Sequence, residues 1–287
     1  APGRRRCRVT ARASAAPVIA LAGVERTFIT PAGPFAALAG VDLAIGAGEL
    51  CAVIGRSGSG KSTLIHLIAG IDRPTAGTVT VAGTALAGLG ESALAAWRGR
   101  HVGVVFQAFQ LLPTLTIAEN VMLPIDFAGG VRPAAARARA LALLAEVGIA
   151  DQADKLPAAL SGGQQQRAAI ARALAEEPAL LLMDEPFGAL DPQTRWEMQG
   201  MLIDISHRED NTILFVTHDV SEAVYLADTV YVLSKRPARI LHRMDMPRFE
   251  DRSLAIKTSP LFRDAEEQLL KLLYAPSSGG GTAPRKA

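Results

Sequence analysis

The stretch Gly55-Arg56-Ser57-Gly58-Ser59-Gly60-Lys61-Ser62 fits the pattern G-x-x-x-x-G-K-[ST], with Thr63 directly after it. It falls between the apolar run 50–54 and a stretch of helical spacing from Lys61, which is the context that pattern requires. Glycines let the backbone curl until successive N–H groups point inward at phosphate oxygens. The start of a helix adds partial positive charge at the same spot. Lys61 is expected to reach the outer two phosphates of a nucleotide. Ser62 is expected to place its hydroxyl on Mg²⁺, and Thr63 to donate to the innermost phosphate. A plain Gly/Ser turn ahead of a core helix, with an incidental lysine, is the competing reading.

Three further groups sit where such a site needs them. Asp184 and Glu185 end the apolar run Leu180–Met183, and in an open α/β sheet ligands bind at the carboxyl ends of the strands. Asp184 is the expected Mg²⁺ holder. Glu185 is placed to orient, or take a proton from, a water attacking the terminal phosphate. His218 follows the run Ile213–Thr217, and an imidazole there could contact that phosphate. Gln107 closes the run Val102–Phe106 with an amide able to touch Mg²⁺ or water. His218 and Gln107 also fit a plainer description as polar residues that end strands.

The elements that must hold these groups are legible in the periodicity. Val41, Leu43 and Ile45 alternate with Asp42 and Ala44, and Val79 and Val81 with Thr78 and Thr80, the period of half-buried strands. The runs 50–54, 102–106, 180–183 and 213–216 are continuously apolar instead, as strands covered on both faces of a parallel sheet must be. Between them, Lys61–Ala69 stops at Gly70, Ala134–Val147 closes at Gly148, and Asp219 with Glu222 reads as a capping box opening Val220–Ala227. Strands alternating with helices give an α/β domain with a mainly parallel core sheet.

Composition narrows the class. The 287 residues are 49% hydrophobic and 20% charged, enough for a sizeable core. No apolar run approaches the ~20 residues that cross a bilayer. A formal net charge of +2 makes no case for a nucleic-acid partner. Cys7 and Cys51 are too few and too far apart for a disulfide framework, so a reducing compartment is expected. Residues 1–17 carry Arg4, Arg5, Arg6, Arg8 and Arg12 and no acid, like an organelle transit segment or a disordered leader. The ending Pro276–Ala287 is expected to be disordered.

Leu160-Ser161-Gly162-Gly163-Gln164, followed by Gln165-Gln166-Arg167, matches the signature of ABC-transporter ATPases. With the phosphate loop, Gln107, Asp184-Glu185, Gly188-Ala-Leu-Asp191 and His218 in order, the resemblance covers roughly residues 18–245. It implies a P-loop ATPase fold with an added antiparallel β subdomain and a helical subdomain carrying the signature. It also implies ATP and Mg²⁺ as cofactors, with Gln107 and Asp184 beside Ser62 at the metal. Ser161, Gly162, Gly163 and Gln164 would meet the nucleotide of a partner subunit, so two copies sandwich two nucleotides head to tail. Asp191 resembles the residue that communicates between the two sites, and Phe28 the ring that stacks on adenine. Phe109, Leu111, Leu112, Pro113 and Leu115 resemble the surface that receives short helices of membrane subunits.

The resemblance implies a peripheral subunit on the cytoplasmic face of a bacterial inner membrane, or a plastid stromal face if 1–17 is a transit segment. Separate permease subunits are implied, with a solute-binding protein for an importer. Val232-Leu-Ser-Lys-Arg236-Pro237-Ala-Arg239-Ile240 is similar to importers of nitrate, sulfonate and taurine. The segment 105–124 is closer to ATPases of lipoprotein release and macrolide efflux, so extrusion stands beside import. A soluble cluster-assembly ATPase is the alternative outside transport. Residues 246–287 read as a short extension, with an amphipathic stretch at Asp264–Leu273.

Overall fold

A computed structural model of the chain describes residues 16–274 except 209–210, 248 and 250–253. The expected leader and the expected disordered ending fall outside those residues, apart from 16 and 17. The chain opens with β1 (Ile19–Thr30), β2 (Gly33–Ile45) and β3 (Leu50–Ile54), then α1 (Lys61–Ile68), β4 (Ala76–Val81) and β5 (Thr84–Ala85). Next come α2 (Glu91–His101), β6 (Val102–Val105), α3 (Ile117–Ala128), α4 (Pro133–Glu146) and α5 (Gly162–Ala173). The last third holds β7 (Leu180–Asp184), α6 (Pro192–Arg208), β8 (Thr212–Thr217), α7 (Val220–Leu226), β9 (Thr229–Leu233), β10 (Ile240–Asp245) and α8 (Pro260–Tyr274).

Two sheets result. One is antiparallel, in the order β2-β1-β4-β5, and the other runs β10-β9-β3-β8-β7-β6. In the second sheet every pairing is parallel except that of the edge strand β10. Burial on both faces explains the continuous apolar runs. In β3, Leu50, Ala52 and Ile54 face one core, while Cys51 and Val53 face the other. Strand β8 divides likewise, with Ile213 and Phe215 on one side and Leu214 and Val216 on the other. The antiparallel sheet, α1 and α2 close the second core; α3 to α8 close the first. The alternating residues of β2 behave as expected, with Val41, Leu43 and Ile45 buried and Asp42 and Ala44 exposed.

One local expectation changes. Asp219 does cap α7, accepting from the backbone N–H of Ser221 at 2.9 Å and of Glu222 at 3.2 Å. Glu222 does not close the box; its buried carboxylate accepts the Thr217 hydroxyl at 2.8 Å instead. Part of the C-terminal extension packs on the rest of the chain. Phe262, Ala265 and Leu269, spaced for one helical face, bury the stripe of α8 in the same core as α7. Among the described residues, no helix is long and apolar enough to cross a membrane.

Candidate functional site

The turn between β3 and α1 is built for an anion. Gly58 and Gly60 hold φ of 70° and 106°, conformations a side chain resists. A Cβ at Gly60 would also stand 3.1 Å from Leu38 Cδ2 and 3.2 Å from the Ala37 carbonyl. Gly60 is the N-cap of α1 and offers no side-chain hydrogen bond, so the first-turn N–H groups remain free for a ligand. Ser59 is buried, and its hydroxyl has no partner among the described residues. Lys61, 5% exposed, donates from Nζ to the carbonyls of Gly55 at 2.9 Å and Arg56 at 3.3 Å. The cavity above the loop has a volume of about 430 Å³, and Ser57 to Thr63, Gln107 and Glu185 all line it.

Strand β7 delivers the acids. Glu185 follows its last residue with φ 46°, a left-handed conformation that costs about 1–3 kcal/mol for a residue with a side chain. Its N–H is fixed to the Val216 carbonyl at 3.0 Å, which holds the chain in that turn. The carboxylate then meets two partners, Lys61 Nζ at 3.6 Å from Oε1 and His218 Nδ1 at 3.2 Å from Oε2. The structure therefore gathers Lys61 from the start of α1 and Glu185 and His218 from the ends of β7 and β8. Burial pushes the Asp184 carboxyl up; a hydrogen bond from Ser62 pulls it back, and the Glu185 charge pushes it up again. Asp184 with the Ser62 hydroxyl offers hard oxygens of the kind that would hold Mg²⁺.

The segment after Gln107 is tied to the signature helix. Arg172 of α5 donates to the carbonyls of Gln110 at 2.6 Å and Phe109 at 2.9 Å. At the other end of α5, Ser161 and Gln164 form a reciprocal capping box, with the Ser161 N–H on Gln164 Oε1 at 2.9 Å. Gly163 lets α6 come close, since a Cβ there would lie 2.4 Å from Thr194 Cγ2. Asp191 caps α6 through the N–H groups of Gln193 and Thr194, both at 3.1 Å, and its carboxyl is held low by the Thr194 hydroxyl first and these N–H groups next. None of Ser161 to Gln164 lines the cavity over the phosphate loop, nor does Asp191. One chain thus brings together the loop, the acids, Gln107 and His218, and leaves the signature facing elsewhere.

Two features went unread in the sequence. The ring lining the cavity is Phe35, with the Arg236 guanidinium 4.8 Å from its centroid, and both residues border the phosphate loop. Phe28, directly across the strand pair from Phe35, does not line the cavity and carries the Arg26 guanidinium at 4.5 Å. The second feature is a largely apolar cavity of about 550 Å³ lined by Ala96, Val104, Phe106, Pro124, Phe127 and Arg172, among others. Phe109, Leu111, Leu112, Pro113 and Leu115 do not line it; Phe109 and Leu111 are half-buried against the core. The loop 112–116 is held by buried Asn120, which bonds both backbone groups of Leu112.

A family model described as ABC transporter matches residues 38–188. The methionine import ATP-binding protein MetN 2 of Burkholderia mallei (strain ATCC 23344) is 48% identical over 213 residues, 74% of this chain and 53% of that protein. The chain thus spans about half the length of the methionine-import relatives it matches. The aliphatic sulfonates import ATP-binding protein SsuB 1 of Xanthomonas axonopodis pv. citri (strain 306) is 41% identical, over 82% of this chain and 89% of that protein. The dimeric, post-hydrolysis structure of the ATP-binding cassette MJ0796 bound to ADP and Pi superposes with a TM-score of 0.74 at 35% identity. It covers 80% of this chain and 100% of that one.

Proposed function

The chain belongs to the ABC transporter ATPase family, and from that premise we propose that it binds and hydrolyses ATP to drive import. The unit at work would be a pair of copies holding two ATP molecules between them. The observation that carries this reading is the division of the site. The phosphate loop, Lys61 and Glu185 share one cavity, with His218 in contact with Glu185, while the N-terminus of α5 lies outside it. An anion site with no anion of its own is what a head-to-tail second copy would supply with one. The dimeric arrangement of MJ0796 supports the same geometry.

In that pair, the loop amides and Lys61 would hold the phosphate chain. Ser62, Asp184 and Gln107 would hold Mg²⁺, which supplies charge neutralisation between the outer phosphates. Glu185 would take the proton of the attacking water, with His218 orienting the carboxylate through its 3.2 Å contact. Ser161 to Gln164 of one copy would close on the terminal phosphate held by the other. Loss of that phosphate on hydrolysis would remove the bridge, and the pair would reopen.

Separate permease subunits would receive this motion, at the cytoplasmic face of a membrane. The apolar cavity beside Phe127, which is 84% exposed, fits a short helix of such a subunit. The finer reading, import of a small anion such as nitrate, a sulfonate or taurine with a solute-binding protein, rests on the phrase Val232–Ile240 and the likeness to the sulfonate importer subunit. Purification in mild detergent with identification of the co-purifying membrane subunit tests it. A permease with a solute-binding protein supports import; a membrane subunit with a large external domain means extrusion; no membrane partner refutes the transport reading.

A further inference from the structure

The turn between β9 and β10 carries the phrase that includes Arg236, and none of the steps above uses it. Its position is fixed by backbone bonds. The Ser234 N–H reaches the Arg239 carbonyl at 2.9 Å, and the Arg239 N–H reaches Ser234 Oγ at 3.0 Å, which closes the turn on itself. Ala238, fully buried, is then pinned to β2: its N–H donates to the Ala37 carbonyl at 2.9 Å, and its carbonyl accepts from the Ala39 N–H at 3.0 Å. The same alanine borders Gly60, where an added Cβ would stand 3.5 Å from its own. The turn is thus anchored to the wall of the phosphate loop.

From that anchor Arg236 reaches over the loop. Its Nη2 lies 2.7 Å from where a Cβ at Gly58 would be, and the guanidinium lies on the Phe35 ring. Stacking on a ring orients the plane of a guanidinium without using its N–H donors. Among the described residues no carboxylate lies within ion-pair distance of it. A cation with free donors, held at the mouth of a cavity otherwise lined by phosphate-binding backbone, matches the planar, multi-donor recognition that suits phosphate.

We propose that Arg236 is a nucleotide ligand that contacts the phosphate chain, with Phe35 as the platform that aims it. The inference rests on the nucleotide reading of the loop and adds the β9–β10 turn to the site. It makes the turn phrase a binding feature.

The test is equilibrium titration of the full chain with ATP, ADP and adenosine at two salt concentrations. Three variants are compared with the parent: Arg236→Ala, Arg236→Lys, and Lys235→Ala as a neighbouring exposed cation that does not line the cavity. A charged hydrogen bond at a partly screened site predicts that Arg236→Ala weakens ATP and ADP about tenfold, less so at high salt. Arg236→Lys should recover part of that loss, while adenosine affinity and Lys235→Ala stay at parental values. ATP affinity of Arg236→Ala within twofold of the parent overturns the inference while leaving nucleotide binding intact. Equal losses for adenosine and ATP, or equal losses from Lys235→Ala, overturn the phosphate contact. A parent chain that binds no ATP overturns the reading of the loop and this inference with it. The free-chain melting temperature of Arg236→Ala should match the parent, which separates lost binding from lost folding.

Discussion

Replacing Glu185 by Gln removes one charge and changes almost no shape. Gln occupies the same volume, pays the same backbone cost at φ 46° and can keep its one oxygen toward Lys61 with its NH2 toward His218. Lys61 retains its two carbonyl acceptors, so the unliganded fold should shift by well under the ~1 kcal/mol typical of a partly exposed pair. Chemistry should suffer far more. An amide cannot take a proton from water, and the loss of a positioned general base is worth about 10²–10⁴ in rate, roughly 3–5 kcal/mol of barrier. Binding should move in the opposite direction. A carboxylate near the terminal phosphate repels it, and even with the full screening of water that repulsion is about 1 kcal/mol at ~4 Å. ATP affinity should therefore rise several-fold, and the pair held by ATP should persist on a sizing column run in ATP and Mg²⁺. Phosphate release measured beside nucleotide affinity decides the matter. Turnover within tenfold of the parent refutes the role given to Glu185. Lost turnover with equally lost ATP affinity refutes it differently, by making Glu185 a structural prop.

Other consequences are sharp enough to measure. Lys61→Ala should weaken ATP at least tenfold in a fluorescent-nucleotide titration, because a charged hydrogen bond to phosphate is worth about 1.5–3 kcal/mol; unchanged affinity would count against its phosphate contact. Gly163→Ala places a methyl 2.4 Å from Thr194 Cγ2, and overpacking of about 1–3 kcal/mol should lower the melting temperature by several degrees. Adding Thr194→Ser, which removes the methyl and keeps the hydroxyl, should restore it, and no rescue would refute the contact. Burial pushes the Glu222 carboxyl up, with Asp219 adding to the push and Thr217, Arg195 and His218 opposing it. A raised folded pKa means stability is lost as pH climbs from the ordinary carboxylate value of about 4.3 through the folded one. Glu222→Gln should therefore stabilise the chain more at pH 8 than at pH 4; a difference that does not grow with pH overturns that account.

What the sequence disclosed and what it hid divide along one physical line. The phosphate loop was legible because its conformation is local: three glycines, a lysine and a helix start act within eight residues of one another. The same holds for Ser161 with Gln164, where a capping box needs only neighbours, and for Asp184-Glu185 at a strand end. Phe35 and Arg236 were hidden because their meeting depends on the β1–β2 pairing and on a turn some two hundred residues further along the chain. Periodicity marks Phe28 and Phe35 alike as strand aromatics, and only the assembled wall of the cavity separates them. Glu222 shows the limit of even a local rule. Its spacing from Asp219 suits a capping box, yet the carboxylate accepts the Thr217 hydroxyl at the end of β8 instead. The run Val102–Phe106 is more instructive still. Continuous apolar residues read as a strand covered on both faces, but β6 lies at the edge of its sheet, and Val104 and Phe106 are only half-buried. They line the apolar cavity beside Phe127. The residues of this edge strand are indistinguishable by type from those of the interior, so composition reports an apolar strand and only the assembled sheet reports that it lies at an edge.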